Sequence, residues 1–107
     1  MRVLITGGTG FVGKNIRDYF KRFDNYDVSF ISKNIYDLRE SSDCMNMLKH
    51  YSPDVVVHAA GTVGGILANQ QNPGKFMYEN LIMGINIIEQ ARLYQEKKKS
   101  EIGRAHV

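Results

Sequence analysis

The chain has 107 residues, a formal net charge of +3, 43% hydrophobic residues and one cysteine. This length suits a single domain, and no apolar run approaches the roughly 20 residues that a membrane-spanning helix needs. The single cysteine excludes an internal disulfide, and the three histidines have no ligand-like spacing with it, so no metal site is predicted.

The positive charge is concentrated near the end of the chain. Residues 1–95 carry ten Lys/Arg against nine Asp/Glu, whereas residues 96–107 carry four against two. The run Lys97-Lys98-Lys99 has no interleaved aromatic residues of the kind that nucleic-acid surfaces use. We therefore expect no nucleic-acid partner and no membrane partner, and the lack of a signal-peptide pattern predicts a cytoplasmic protein.

The first predicted elements are a strand, a glycine-rich turn and a helix. Val3-Leu4-Ile5 is a short apolar run, typical of a strand that is buried on both faces of a parallel sheet. The turn Thr6–Gly13 follows directly. The helix after it is predicted to pack on the sheet through the apolar side chains of Val12, Ile16, Tyr19, Phe20 and Phe23.

This turn predicts a phosphate-binding site. Gly7 allows the tight turn, Gly10 lets the backbone approach a pyrophosphate, and Gly13 lets the helix lie close to the strand. The N–H groups of the helix start, at Phe11 and Val12, attract an anion together with the helix dipole. Three glycines alone also fit an ordinary surface turn, but the strand before and the helix after favour dinucleotide binding.

The middle of the chain predicts further alternation of strands and helices. A second strand is expected at Val28–Ser32, a short third extended piece at Tyr36-Asp37-Leu38, and a buried strand at Asp54–His58. Between them, apolar residues recur at helical spacing after a group of capping residues, Ser41, Ser42 and Asp43. The apolar positions of this helix are Cys44, Met47, Leu48 and Tyr51.

A long helix is predicted from Pro73, with Asn72 as its cap, to about Gln95. Its apolar surface is wider than a single sheet can cover, and we interpret the excess as a homodimer surface on helix 73–95. Met77, Leu81, Ile85 and Ile88 form one stripe, and Phe76, Ile82, Met83 and Ile87 widen it.

The order of these elements predicts an α/β fold. It is the N-terminal half of a Rossmann-type doubly wound parallel sheet, with about four strands and flanking helices.

Three motifs together resemble the extended short-chain dehydrogenase/reductase superfamily, the NAD-dependent epimerases and dehydratases of nucleotide sugars. They are the Thr6–Gly13 turn, Asp37-Leu38 and His58-Ala59-Ala60-Gly61. A later stretch more narrowly resembles the GDP-L-fucose synthase family. It comprises Val63–Asn69, Pro73, Tyr78-Glu79-Asn80 and Asn86-Ile87-Ile88.

The resemblance implies a cofactor, a substrate class and site residues. It implies that NADP(H) binds to this half of the sheet and that a nucleotide sugar, a GDP-keto-sugar in the narrower family, binds to a C-terminal lobe. Asp37 and Leu38 would contact the adenine. Ala59, Ala60 and Gly61 would line the path of the cofactor beyond the last strand.

The end of the second strand bears on the choice between NADP and NAD. An acidic residue there would hold the ribose hydroxyls of NAD, and this chain has Ser32-Lys33-Asn34 instead. Lys33 matches the position where the fucose synthase family places a basic residue on the 2′-phosphate. It also fits a solvated loop lysine, so NAD stays open as an alternative.

Two positions depart from the narrower family. Thr9 and Thr62 stand where that family has basic residues. Another sugar-nucleotide epimerase, reductase or dehydratase therefore remains an alternative, as does a non-catalytic dinucleotide sensor of the same fold.

No catalytic residue is assigned in this chain. The superfamily uses a Tyr-x-x-x-Lys pair and a Ser or Thr after a fifth strand. Tyr94 and Lys98 have the spacing, but they fall at the C-terminal end of the last predicted helix, before any fifth strand and on the side away from the cofactor, and we interpret them as a charged helix end. Asn80 is the one supporting candidate, because the family has an Asn in this helix.

The last residues are interpreted as a non-native tail. The codons ATC GGA AGA GCA CAC GTC would encode Ile102–Val107, and this resembles a common sequencing-library adapter. We therefore expect residues 1–99 to form a partial NAD(P)-binding domain, inactive by itself, and residues 100–107 to lie outside it.

Overall fold

The computed structural model describes residues 1–7, 10–32, 34–60 and 72–105, with side chains as far as residue 100. Strands and helices alternate along these residues. In chain order they are β1 (Arg2–Thr6), α1 (Phe11–Phe20), β2 (Asp27–Ile31), α2 (Ser41–Tyr51), β3 (Val55–His58) and α3 (Pro73–Ala105).

The three strands form one parallel sheet in the order β2-β1-β3. Because the chain returns past β1 to reach β3, the strand order reverses beside β1, and right-handed crossovers place α1 and α2 on opposite faces. Thr6 pairs in register with Ile31 on one side and with His58 on the other. The carboxyl ends of all three strands therefore meet at one edge, and the predicted fold class is confirmed.

The prediction of a short third extended piece at Tyr36-Asp37-Leu38 is wrong, because this segment is a loop that pairs with no strand in the described sheet. Side chains form hydrogen bonds with the backbone N–H and C=O groups of this segment instead. The Asp37 N–H donates to Asp43 Oδ2 at 2.9 Å, and the Leu38 carbonyl accepts from Asn86 Nδ2 at 2.9 Å. The segment is therefore fixed by two helices instead of by a sheet ladder.

The core lies between the sheet and the pair α2 and α3. Leu4 belongs to this core, whereas its neighbours Val3 and Ile5 point to the opposite face, as strand alternation requires. The remaining buried members of the cluster come from β2, the loop after it and the two helices. They are Ile31, Leu38, Cys44, Met47, Leu48, Met83 and Ile87.

Two helices differ from their predicted packing. In α1 only Gly13 is buried, and Val12 and Tyr19 are more than half exposed. In α3 the buried positions are Glu79, Met83 and Ile87, so the predicted stripe lies on the opposite, exposed side of the helix. That stripe comprises Met77, Leu81, Ile85 and Ile88, with exposed fractions from 57% to 73%.

Both helices also differ at their ends. The N-cap of α2 is Glu40, without a side-chain cap, so Ser41, Ser42 and Asp43 lie in the first turn. Helix α3 continues past Gln95 to Ala105, since the residues between Gln95 and Gly103 are mostly strong helix formers and include neither Gly nor Pro.

Candidate dinucleotide-binding site

Gly7 turns the chain at the end of β1 in a way that only glycine permits. Its φ is +70°, in the left-handed region, and its N–H donates to the Ile31 carbonyl at 3.1 Å. A Cβ at this position would lie 2.7 Å from both N and Cα of Ala60. The ends of β1 and β3 therefore approach each other so closely that a side chain at Gly7 has no room.

The buried Thr6 hydroxyl fixes the same junction from the β1 side. Its Oγ1 accepts hydrogen bonds from the N–H groups of Ala59 at 3.1 Å and Ala60 at 3.3 Å, and it lies 2.8 Å from His58 Nδ1. The predicted Ala59-Ala60 segment is thus held against the glycine turn. Partial burial of the imidazole lowers the pKa of His58.

The start of α1 faces the same edge of the sheet. Gly10 is its N-cap, has no side-chain cap, and donates its N–H to the Gly7 carbonyl at 3.0 Å. The first intrahelical bond of α1 is donated by Lys14 to Gly10 at 2.9 Å, so the N–H groups of Phe11, Val12 and Gly13 have no acceptor inside the helix. These are the groups that an anion at a helix N-terminus accepts from.

A cavity of about 260 Å³ lies beside this turn. It is enclosed by the carboxyl ends of β1, β2 and β3, the loop after β2, and one face of α3. Its lining includes five of the predicted cofactor residues, namely Gly7, Ser32, Asp37, Leu38 and Ala60, and also Ile31, Asn34, Tyr36, Arg39, Glu79 and Met83.

The other predicted site residues are placed differently. Gly10 is the N-cap of α1, Phe11, Val12 and Gly13 form its first turn, and Ala59 follows β3 directly. The side chain of Phe11 is 84% exposed. Lys33 and Gly61 lie outside the described residues.

Sequence reasoning missed two charged residues in the cavity wall, Arg39 and Glu79. The Arg39 guanidinium and backbone N–H bind the Asp37 carboxylate, and Arg39 NH1 lies 3.5 Å from Glu79 Oε1. Asp37 and Glu79 together raise the pKa of Arg39, with Asp37 dominant. The Asp-x-Arg spacing was the available signal, because Asp commonly accepts from the backbone two residues on.

The residues considered for catalysis do not lie in this cavity. Asn80 is exposed on α3, next to Glu79. Tyr94 and Lys98 line a separate cleft with Arg2, at the opposite edge of the sheet from Thr6 and His58. Among the described residues there is also no group of three or more His, Cys, Asp and Glu side chains that could hold a metal ion. None of the described helices is long and apolar enough to cross a bilayer.

Known proteins resemble the chain over nearly its whole length. A family model described as the NAD dependent epimerase/dehydratase family matches residues 3–104. GDP-L-colitose synthase of Yersinia pseudotuberculosis is 43% identical over 103 residues, which make up 96% of this chain and 33% of that protein. GDP-L-fucose synthase of Azorhizobium caulinodans is 38% identical over 87 residues, covering 81% of this chain and 28% of that protein.

The fold has solved counterparts as well. A crystal structure of a GDP-L-fucose synthetase from Naegleria fowleri bound to NADP superposes with a TM-score of 0.72 at 31% identity. It covers 83% of this chain, which in turn covers 29% of that protein. The chain thus spans about a third or less of the length of these relatives.

Proposed function

Because the chain belongs to the NAD dependent epimerase/dehydratase family, we propose that it is the NADP(H)-binding part of a nucleotide-sugar epimerase or reductase. The observation that carries this proposal is the site at Gly7 and Gly10. There a glycine turn, a helix start without a side-chain cap and a cavity meet at the carboxyl ends of the strands. Such edges are where doubly wound sheets bind nucleotides.

The residues present fit a dinucleotide. The N–H groups of Phe11, Val12 and Gly13 would hold the pyrophosphate, and a Cβ on Gly10 would meet only the Gly7 carbonyl, at 3.4 Å, among the described residues. The described part of the fold therefore has room for a methyl group at Gly10, and we attribute the glycine at this position to the close approach of a ligand. Asp37 and Leu38 would hold the adenine from the cavity wall.

The preference for NADP over NAD rests on the end of β2. Ser32 lines the cavity and carries a hydroxyl where an NAD enzyme has a carboxylate. Arg39 is shared between the Asp37 and Glu79 carboxylates of the same wall, so it adds no free cation for a 2′-phosphate. The cation for a 2′-phosphate would therefore come from Lys33.

The cofactor would exchange hydride with the substrate at its nicotinamide. The residues of this chain bind and orient it: the α1 start holds the phosphates, and the Thr6 hydroxyl keeps Ala59 and Ala60 in place. Tyr94 and Lys98 lie at the wrong edge to transfer a proton there. We therefore propose that the 107-residue chain binds cofactor without converting substrate, with Asn80 as a supporting residue in the whole protein.

The substrate that we propose is a GDP-4-keto-6-deoxy sugar. Both relatives described above, GDP-L-colitose synthase and GDP-L-fucose synthase, are named as synthases of GDP-linked sugars, which supports a GDP-linked substrate. The exposed stripe on α3 supports a second proposal, a homodimer through helix 73–95, because an apolar surface of this kind is typical of an interface.

Calorimetric titration of the chain with NADPH and NADH tests the cofactor proposal. We expect NADPH to bind more tightly than NADH. Gly10→Ala should weaken NADPH binding by at least tenfold while leaving the melting temperature nearly unchanged, because the added methyl group fits the fold but obstructs a phosphate. A chain that melts cooperatively yet binds neither nucleotide would refute the proposal.

A further inference from the structure

Arg39 donates three hydrogen bonds to Asp37 in the loop after β2. Its backbone N–H and its Nε donate to Asp37 Oδ1 at 3.0 Å and 2.9 Å, and its NH2 donates to Asp37 Oδ2 at 2.9 Å. A guanidinium that engages both carboxylate oxygens fixes the plane of the carboxylate as well as its position. The orientation of Asp37 therefore depends on where Arg39 is held.

Helix α3 holds Arg39 from the other side. Arg39 NH1 lies 3.5 Å from Glu79 Oε1, and Glu79 is only 9% exposed although it is charged. Because a nearly buried carboxylate is costly without a cation beside it, Glu79 favours the position in which Arg39 reaches it. Asp37, Arg39 and Glu79 therefore form one chain of contacts from the loop to α3.

The next residue of the loop is attached to the same helix. The Leu38 carbonyl accepts from Asn86 Nδ2 at 2.9 Å, and Leu38 itself is 3% exposed. Glu79, Met83 and Asn86 share one face of α3 at helical spacing. Two polar links from that face thus fix the loop, which has no strand partner in the described sheet.

We propose that Arg39 is a positioning residue for adenine recognition, holding the Asp37 carboxylate at the cavity wall by bridging it to Glu79 on α3. The inference rests on the proposed cofactor function. A carboxylate is an acceptor only, so a fixed Asp37 favours a purine with a 6-amino group, a donor, over one with a 6-oxo group, an acceptor. Arg39 thereby sets the discrimination between these two bases without touching either.

The test compares NADPH with its hypoxanthine analogue, in which the 6-amino group is replaced by an oxo group. Dissociation constants for both are measured by calorimetry on the full chain, together with thermal melting. For the wild-type chain we expect NADPH to bind on the order of tenfold more tightly, as a hydrogen bond to a charged group implies.

Three variants separate positioning from general stability. Arg39→Gln and Glu79→Gln should bring the ratio of the two dissociation constants to within about twofold of unity. Arg39→Lys should keep part of the wild-type ratio, because lysine keeps the positive charge but not the planar guanidinium that binds both carboxylate oxygens. Arg92→Gln is the matched control. Arg92 also bridges two carboxylates, those of Glu89 and Glu96, but it lies away from the cavity and should leave the ratio unchanged.

The outcomes are distinguishable. If the wild-type chain discriminates and Arg39→Gln weakens both nucleotides equally, Arg39 serves only stability and the inference is overturned while the cofactor proposal stands. If Glu79→Gln leaves the ratio of the two dissociation constants at its wild-type value, the proposed role of the Arg39–Glu79 contact is overturned. Because this variant is isosteric, it remains informative if Arg39→Gln fails to fold. If the folded wild-type chain binds neither nucleotide, the cofactor proposal fails and this inference fails with it.

Discussion

Thr6 Oγ1 lies 2.8 Å from His58 Nδ1, and the other hydrogen bonds of this hydroxyl assign Thr6 as the donor. Thr6 Oγ1 already accepts from the N–H groups of Ala59 and Ala60, which occupy its two acceptor positions. The 2.8 Å contact with the imidazole must therefore be made with Thr6 as donor and Nδ1 as acceptor. This assigns neutral His58 the tautomer with its proton on Nε2, and it ties the ring to the junction between β1 and β3.

Acidification should therefore destabilise the fold through His58. Burial lowers its pKa below the ordinary 6.5, so the unfolded chain binds a proton more readily than the folded chain. The contribution of neutral His58 is fully present above pH 6.5 and is lost as the pH falls through the lowered value. We expect the melting temperature to decrease between pH 7.5 and pH 5.5.

His58→Gln is the matched control for this pH effect. The glutamine amide oxygen can accept from Thr6, and it does not titrate in this range. Melting curves of this variant should change less between the two pH values than those of the wild-type chain. Equal pH dependence in both proteins would show that other groups cause the loss.

A glycine pair tests the close approach at the turn. Gly7→Ala should be strongly destabilising, since it combines a φ of +70° with a Cβ 2.7 Å from the Ala60 backbone. Gly84→Ala is the control, because a Cβ there meets nothing within 4 Å and alanine favours a helix interior by about 1 kcal/mol. In urea unfolding, the free energy of unfolding should be lower than that of the wild-type chain for Gly7→Ala and higher for Gly84→Ala. A Gly7→Ala chain as stable as wild type would contradict the geometry.

The sequence sufficed to predict the alternation of strands and helices and the turn at Gly7, because strand pattern, glycine spacing and helix pattern agree there. It did not suffice for Tyr36-Asp37-Leu38. The apolar and polar residues of that segment fit a strand, but the decisive partners of its backbone are side chains of Asp43 and Asn86. Leu38 and Asn86 are 48 residues apart, so their contact leaves no local pattern, and Asp43, six residues from Asp37, was interpreted only as a helix cap.

The face of α3 that becomes buried was equally hard to predict. Met77, Leu81, Ile85 and Ile88 are as regular a stripe as Met83 and Ile87, and periodicity cannot say which one meets the core. Packing against α2 determines which face of α3 is buried, because Met47 and Leu48 of α2 belong to the same buried cluster as Met83 and Ile87. The cavity residue Glu79 shares that buried face, so it too was missed.

The thiol of Cys44 should be unreactive while the chain is folded. Cys44 is fully buried, its Sγ lies 3.5 Å from the Leu38 carbonyl, and burial, reinforced by Asp43 and Asp37, raises its pKa to about 11. Labelling with Ellman's reagent at pH 8 should be slow in buffer and complete in concentrated urea, because thiolates and not thiols react. Rapid stoichiometric labelling of the folded chain would contradict this packing.

The exposed stripe of α3 predicts self-association. If two copies meet through this stripe, Ile85→Glu places a carboxylate in the apolar contact and should shift the sedimentation of the chain from dimer to monomer at micromolar concentration. Lys75→Glu is the control, because Lys75 is exposed on α3 away from the stripe and also introduces a carboxylate. Identical sedimentation of wild type and Ile85→Glu, both as monomers, would exclude a dimer through this helix.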